Sequence, residues 1–268
     1  MTDSEEFPID KCTVQLYYAP IKKDESLDID DSPPEQIASG VLIKNASKHF
    51  LLTCKHVFDG IKLEDVVILT SGGWSVRLPD DVEFINDEKD NVDLALIQLK
   101  SYRLKELKRR YSFLSSKYLG FDHVFDEELW YMLYGYINKR TVLDNYAFYS
   151  EPFGFLTGIR HYRNFEKLGF SYENNISLEY NRRKQTYLDD EDEIRRFGPK
   201  DLRGLSGGGI WLSVAGKKED TYEYILVGTL IEERIERGFL IGTKIGLIKG
   251  KLLPSLTQEF KKKSKSAS

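Results

Sequence analysis

Gly204-Leu205-Ser206-Gly207-Gly208-Gly209 runs directly into Ile210-Trp211-Leu212-Ser213-Val214. The first half reads as a turn and the second as a strand. Glycines around a serine let the chain turn tightly and bring successive backbone N–H groups together. A hydroxyl at such a turn is a candidate nucleophile, but it is a poor one until a base takes its proton. Taken alone, a Ser-Gly-Gly-Gly turn is usually only a turn.

Two stretches upstream supply what the turn lacks. Thr53-Cys54-Lys55-His56-Val57 follows the apolar Phe50-Leu51-Leu52, and Asn91-Val92-Asp93 heads the apolar run Leu94-Ala95-Leu96. Neutral imidazole is a base with an ordinary pKa near working pH. A carboxylate on its far nitrogen fixes the tautomer and stabilises the imidazolium. Each motif is weak by itself: a lone His after a strand is more often structural, and a lone Asp more often a turn residue. Their joint order is the signal. His56 and Asp93 fall in one group of strands and Ser206 in another, as a site formed between two β units requires. With His56 at its ordinary value, activity would rise near pH 6.5–7.

Short apolar runs separated by turns fill the chain on both sides. Thr13–Tyr18, Ser39–Ile43, His49–Thr53, Val66–Thr70, Ser75–Leu78, Val82–Ile85 and Leu94–Leu99 form the first group. Tyr102–Leu119 then shows helical spacing at Leu104, Leu107, Tyr111 and Leu114. Strand-like runs resume at Trp130–Tyr136, Tyr146–Tyr149, Ile176–Tyr180, Gly209–Val214, Tyr222–Thr229 and Phe239–Thr243. The pattern predicts an all-β sandwich or barrel pair, and periodicity alone leaves several β folds open. The expected organisation is a first β unit over 1–100, a helical linker over 101–129 and a second β unit over 130–246. A C-terminal helix and basic tail over 247–268 complete it. The acidic run Asp189–Glu193 reads as a solvated loop.

Other chemistries find little support. The four histidines, His49, His56, His123 and His161, show no zinc-ligand spacing, and no phosphate-binding glycine loop occurs. No cofactor and no metal are therefore expected. Cys54 is read as a packed small residue, because side chains two apart on a strand do not face each other. A net charge of −4 argues against nucleic acid. No stretch is long and apolar enough for a membrane span. Two cysteines in 268 residues, and an N-terminal MTDSEEFPID without signal character, predict a reducing, cytoplasmic setting.

These motifs resemble those of the trypsin-like (chymotrypsin-fold) serine peptidases, of the intracellular bacterial type. Thr53-Cys54-Lys55-His56-Val57 is similar to the family's T-A-x-H-V box, Val92-Asp93-Leu94-Ala95-Leu96 to its D-I/L-A-L/V box, and Gly204-Leu205-Ser206-Gly207-Gly208 to G-x-S-G-G. Leu226-Val227-Gly228-Thr229 resembles the strand bordering the primary pocket. The resemblance spans residues 39 to about 246. It implies two six-stranded antiparallel β-barrels, a His56–Asp93–Ser206 triad, and an oxyanion hole from the Gly204 and Ser206 amides. A protein or peptide would be the substrate, and a regulatory protein partner is one form that restraint could take. Two departures stand out. Secreted digestive members carry Asp before the serine, which pairs with a freed N-terminal amine on activation; Leu205 stands there. They also carry Cys after the histidine, where this chain has Val57.

The same register implies a primary pocket with Lys200 at its bottom, Arg203 at its rim, and Gly228, Thr229 and Leu230 along its wall. Two cations there predict a preference for Asp or Glu before the cleaved bond. The alternative is that Lys200 turns to solvent or pairs with Asp189–Glu193. Two other functions stay open: an inactive double barrel serving as a protein-binding module, and a serine esterase using the same triad.

Overall fold

The computed structural model describes residues 9–20, 34–70, 75–78, 83–87, 91–144, 147–183, 186–188, 194–196, 198–216 and 222–252. They form a mostly β protein built around two antiparallel sheets. The first sheet contains β1 (Thr13–Tyr18), β2 (Glu35–Asn45), β3 (Lys48–Thr53), β4 (Val66–Leu69), β5 (Ser75–Arg77), β6 (Glu83–Asp87) and β7 (Val92–Gln98). Their spatial order is β5-β4-β1-β2-β3-β7-β6, and β8 (Leu114–Ser115) adds to β2 in parallel. The two outermost strands, β5 and β6, are consecutive in the chain, so the sheet curls back toward itself.

The second sheet contains β9 (Tyr131–Asp144), β10 (Ala147–Thr157), β11 (Asn175–Glu179), β14 (Gly209–Ala215), β15 (Tyr222–Arg234) and β16 (Phe239–Lys244), in the order β10-β9-β14-β15-β16-β11. A bridge between Ile159 and Leu178 joins the two ends of that order. Arg160 N donates to Ser177 O at 2.9 Å and Glu179 N to Gly158 O at 2.9 Å beside it. This closes a six-stranded barrel. Taking β5 and β6 together as one position, both sheets follow the same circular order of connections. A short hairpin of β12 (Thr186–Leu188) and β13 (Ile194–Arg196) stands apart from both.

Period-2 patterning explains why β2, β3 and β7 read as almost continuous apolar runs. Leu42, Leu51, Ala95 and Ile97 point into the first barrel's core. Their neighbours Val41, Ile43, Leu52, Leu94 and Leu96 point the other way, against Trp211 and Leu226 of the second sheet and Ile245, Ile248 and Leu252 near the end of the described chain. The second barrel has its own core of Leu133, Phe153, Leu178, Ile210, Leu230 and Leu240. The joint between the sheets is therefore packed with apolar side chains as the cores are.

The expected helix over 101–129 is shorter than its spacing suggests. The first helix, α1, is Ile9–Cys12; the linker helix, α2, is only Ser101–Arg110. Tyr111 N still bonds Leu107 O at 2.8 Å, but Ser112 N turns to Lys11 O at 2.8 Å and Leu114 pairs with Ile43. Tertiary hydrogen bonding overrides the helical period there. At the C-terminal end a 3₁₀ turn, Ile245–Ile248, leads into α3 (Lys249–Leu252). The expected remainder of that helix and the basic tail lie outside the described residues, as does Asp189–Glu193.

Candidate active site

β3 ends at the buried Thr53, and after the buried Cys54 the chain tightens into a 3₁₀ turn, His56–Phe58. Asp93, second residue of β7, holds this turn from beneath. Its Oδ1 accepts from Lys55 N at 2.7 Å and from His56 N at 2.9 Å, and its Oδ2 pairs with His56 Nδ1. One carboxylate thus fixes both the backbone of the turn and the ring it carries. That contact assigns Nδ1 as the proton-bearing nitrogen facing Asp93 and leaves Nε2 as the base. Burial acts to lower the His56 pKa, and the Asp93 hydrogen bond and the contact with Cys54 outweigh it, so the value is raised.

Cys54 is wholly buried, with Sγ 3.9 Å from His56 Nε2, and burial pushes its thiol pKa up. It is a neutral packed thiol. Cys54, His56 and Asp93 do offer three ligand atoms within 4.8 Å of one another. His56 Nδ1 and both Asp93 oxygens are already engaged with each other and with backbone amides, so the trio fits proton handling better than cation binding.

Ser206 sits on the opposite wall. Gly204 and Gly207 flank it at φ +94° and +82°. A Cβ on Gly207 would lie 2.1 Å from both Ser39 O and Thr53 Oγ1, so only glycine fits. The loop is pinned by Leu205 N to Leu202 O at 2.9 Å, Gly208 N to Leu205 O at 2.8 Å and Gly207 N to Leu230 O at 2.8 Å. Among the described residues nothing accepts from the amides of Gly204 or Ser206. Both residues line the cleft described below.

The first sheet contributes to this wall through a residue that the sequence did not mark. Ser39 of β2 is fully buried; its N donates to Ser206 O at 2.8 Å and its Oγ to Gly204 O at 2.8 Å, and Oγ accepts from Tyr136 N at 2.9 Å. Thr53 Oγ1 in turn donates to Ser39 O at 2.7 Å. The β2–β3 hairpin brings Thr53 to Ser39, and the approach of β2 to β9 brings Tyr136 and Gly204 to it.

His56, Ser206 and Gly204 open into one cleft of about 510 Å³. Among the described residues no hydrogen bond joins His56 Nε2 to Ser206 Oγ. Such contacts are commonly loose without substrate and tighten when it binds. The cleft's other lining residues include Gln36, Asn138, Leu202, Arg203, Leu230, Ile231, Glu232 and Glu233. The chain is similar over nearly its whole length to an inactivated protease paralogue of the scabies mite. The match covers 96% of this chain and 97% of that one, with a TM-score of 0.54 at 11% identity. The fold is the chymotrypsin-like double barrel.

A tobacco vein mottling virus protease is similar over 89% of this chain and 78% of that one, with a TM-score of 0.47 at 11% identity. No family model and no curated protein sequence matches the chain.

The expected pocket residues divide. Arg203 and Leu230 line the cleft, whereas Lys200, Gly228 and Thr229 do not. Gly228 and Thr229, within β15, pair with Ile210 and Gly209 on β14 and are buried. The cleft instead meets the next stretch of β15, Leu230 to Glu233, because Leu230 is the residue bonded to the serine loop. Lys200 lies on an exposed bend. Arg203 is an exposed cation paired with Asp201, to which its Nε and Nη2 donate at 3.1 and 2.8 Å.

Proposed function

We propose that the chain is a serine endopeptidase in which Ser206 attacks the peptide carbonyl, His56 Nε2 takes the proton, and Asp93 orients the ring. The observation that carries this reading is the triple use of Asp93, on the ring and both amides of the His56 turn, directly across one cleft from Ser206 and its two free amides. The tetrahedral oxyanion would accept from Gly204 N and Ser206 N. The imidazolium would then give its proton to the leaving amine, and water would repeat the cycle on the acyl-enzyme. Two free, buried cysteines suit a reducing compartment.

The test is covalent. A fluorophosphonate should label Ser206 in the intact chain and fail on Ser206→Ala, with turnover on the order of 10⁶-fold lower in the variant. Comparison of cleaved protein termini with the same variant then identifies substrates. Persistent labelling in Ser206→Ala would refute the assignment. The second reading, a binding module on the same barrels, is favoured by one observation: the described contact of His56 Nε2 is with Cys54 Sγ and not with Ser206. A chain that resists labelling yet binds peptide fits that reading.

A further inference from the structure

The serine loop opens with a turn whose corners and closing bond are fixed and whose middle is not. Leu205 N donates to Leu202 O at 2.9 Å, and both leucines are buried in the second barrel's core. Gly204, the third residue of the turn, has φ +94°, and Arg203 before it keeps a negative φ. These values make a type II turn. A type I turn keeps the same corners and closing bond, and differs by turning over the central peptide, here Arg203–Gly204. Glycine in the third place permits both forms.

The surroundings of that peptide are divided. Asn138 N donates to Arg203 O at 2.9 Å, so Gly204 N–H, on the far side of the same planar group, points away from Asn138. Gly204 O is held separately, by Ser39 Oγ at 2.8 Å. Asn138 Oδ1 meanwhile is buried without a hydrogen-bond partner, and it sits so close under Gly204 that a Cβ there would collide with it. The other polar group against Gly204, Gln36 Nε2, donates to Tyr136 O at 3.1 Å. A buried acceptor left without a donor is unfavourable. Turning the peptide over would bring Gly204 N–H to Asn138, where the backbone N–H cannot receive it and Oδ1 can.

We propose that the Arg203–Gly204 peptide has two positions and that Asn138 sets the balance between them. Its backbone N–H holds Arg203 O and so leaves Gly204 N–H for the oxyanion; its side-chain oxygen receives that N–H in the turned-over form, which cannot offer it. Asn138 is thus a positioning residue that touches no reacting atom. The effect on turnover rests on the proteolytic reading above, whereas the two positions do not, and the experiment separates them. The Gly204 amide is followed by NMR relaxation dispersion in the full-length Ser206→Ala chain with glycine-selective labelling. It should exchange between two environments, and adding Asn138→Ala should remove the exchange. Adding Asn138→Asp instead, whose carboxylate is the stronger acceptor, should raise the equilibrium constant for the turned-over form about tenfold. In the chain that keeps Ser206, fluorophosphonate labelling should be slower in Asn138→Asp and at least as fast in Asn138→Ala, whereas a merely structural asparagine would slow both. A Gly204 amide without exchange, exchange that survives Asn138→Ala, or slower labelling in Asn138→Ala overturns the proposal. If Asn138→Ala does not fold, Asn138→Asp, which keeps the side chain's shape, decides alone, and an unchanged equilibrium there overturns it. Exchange that answers to Asn138 in a chain that no fluorophosphonate labels removes the proteolytic reading and leaves the two positions standing.

Discussion

His56 and Ser206 face each other across the cleft, yet they are held by different means. His56 is fixed from within its own sheet, by one carboxylate two residues into β7 that gathers the ring and two amides. Ser206 is fixed from across the joint, by Ser39 of the other sheet and by Leu230 of its own. The His56 turn is thus a local property of the first barrel, and the Ser206 turn a property of the assembled pair.

Breaking the local half should have the larger effect. Asp93→Asn is expected to preserve the fold, because an amide oxygen still accepts from Lys55 N and His56 N, while the wrong tautomer lowers turnover about 10⁴-fold. Steady-state kinetics with circular dichroism checks both parts. Near-normal turnover would mean that another acid orients the ring.

Breaking the shared half should be milder and differently placed. Ser39→Ala leaves Gly204 O and Tyr136 N short of a partner inside the joint. That costs about 1–3 kcal/mol of stability. Turnover should fall about tenfold as the amides lose register. The His56 ring resonances in NMR should titrate as before, since no part of the Asp93 cluster changes. A displaced His56 titration in Ser39→Ala would show that the two halves are not separately held.

The smallest effect concerns pH and sharpens the same contrast. Because the folded-state pKa of His56 is raised, the ring stays protonated above the ordinary 6.5 and becomes a base only at higher pH. The rising limb of activity should therefore lie above the pH 6.5–7 that the sequence suggests, and move back toward it in Asp93→Asn. Stability follows the opposite course. The His56–Asp93 pair adds stability that is fully present below about pH 6.5 and lost as pH rises through the raised value. Melting curves of the chain and Asp93→Asn should differ more at about pH 6 than at about pH 10.

The strands, and the motifs that carry His56, Asp93 and Ser206, were legible because they rest on short-range pattern. Thr53 to Val57 and Val92 to Leu96 each place a candidate site residue beside the apolar run that anchors it. Ser39 was hidden inside Ser39–Ile43, where it reads as one small residue on a strand; its role comes from approach to Gly204 and Tyr136, far along the chain. The cleft wall was displaced for a similar reason. Gly228 and Thr229 were favoured by motif, but the bond between Gly207 N and Leu230 O sets the register and turns Glu232 and Glu233 to the cleft. The linker helix ended early because Ser112 and Leu114 found partners on α1's Lys11 and on β2.

Leu205 is wholly buried in the second barrel's core, packed so closely under Gly135 that a Cβ there would lie 2.8 Å from its Cδ1. The residue before the candidate nucleophile is an apolar plug seated by folding, where an activating ion pair with a newly cut amine would need a carboxylate. A trigger of that kind has nothing to pull on here. Under the proteolytic reading, the turn beneath Ser206 is set by packing as the barrel folds, with no ion pair left to complete it.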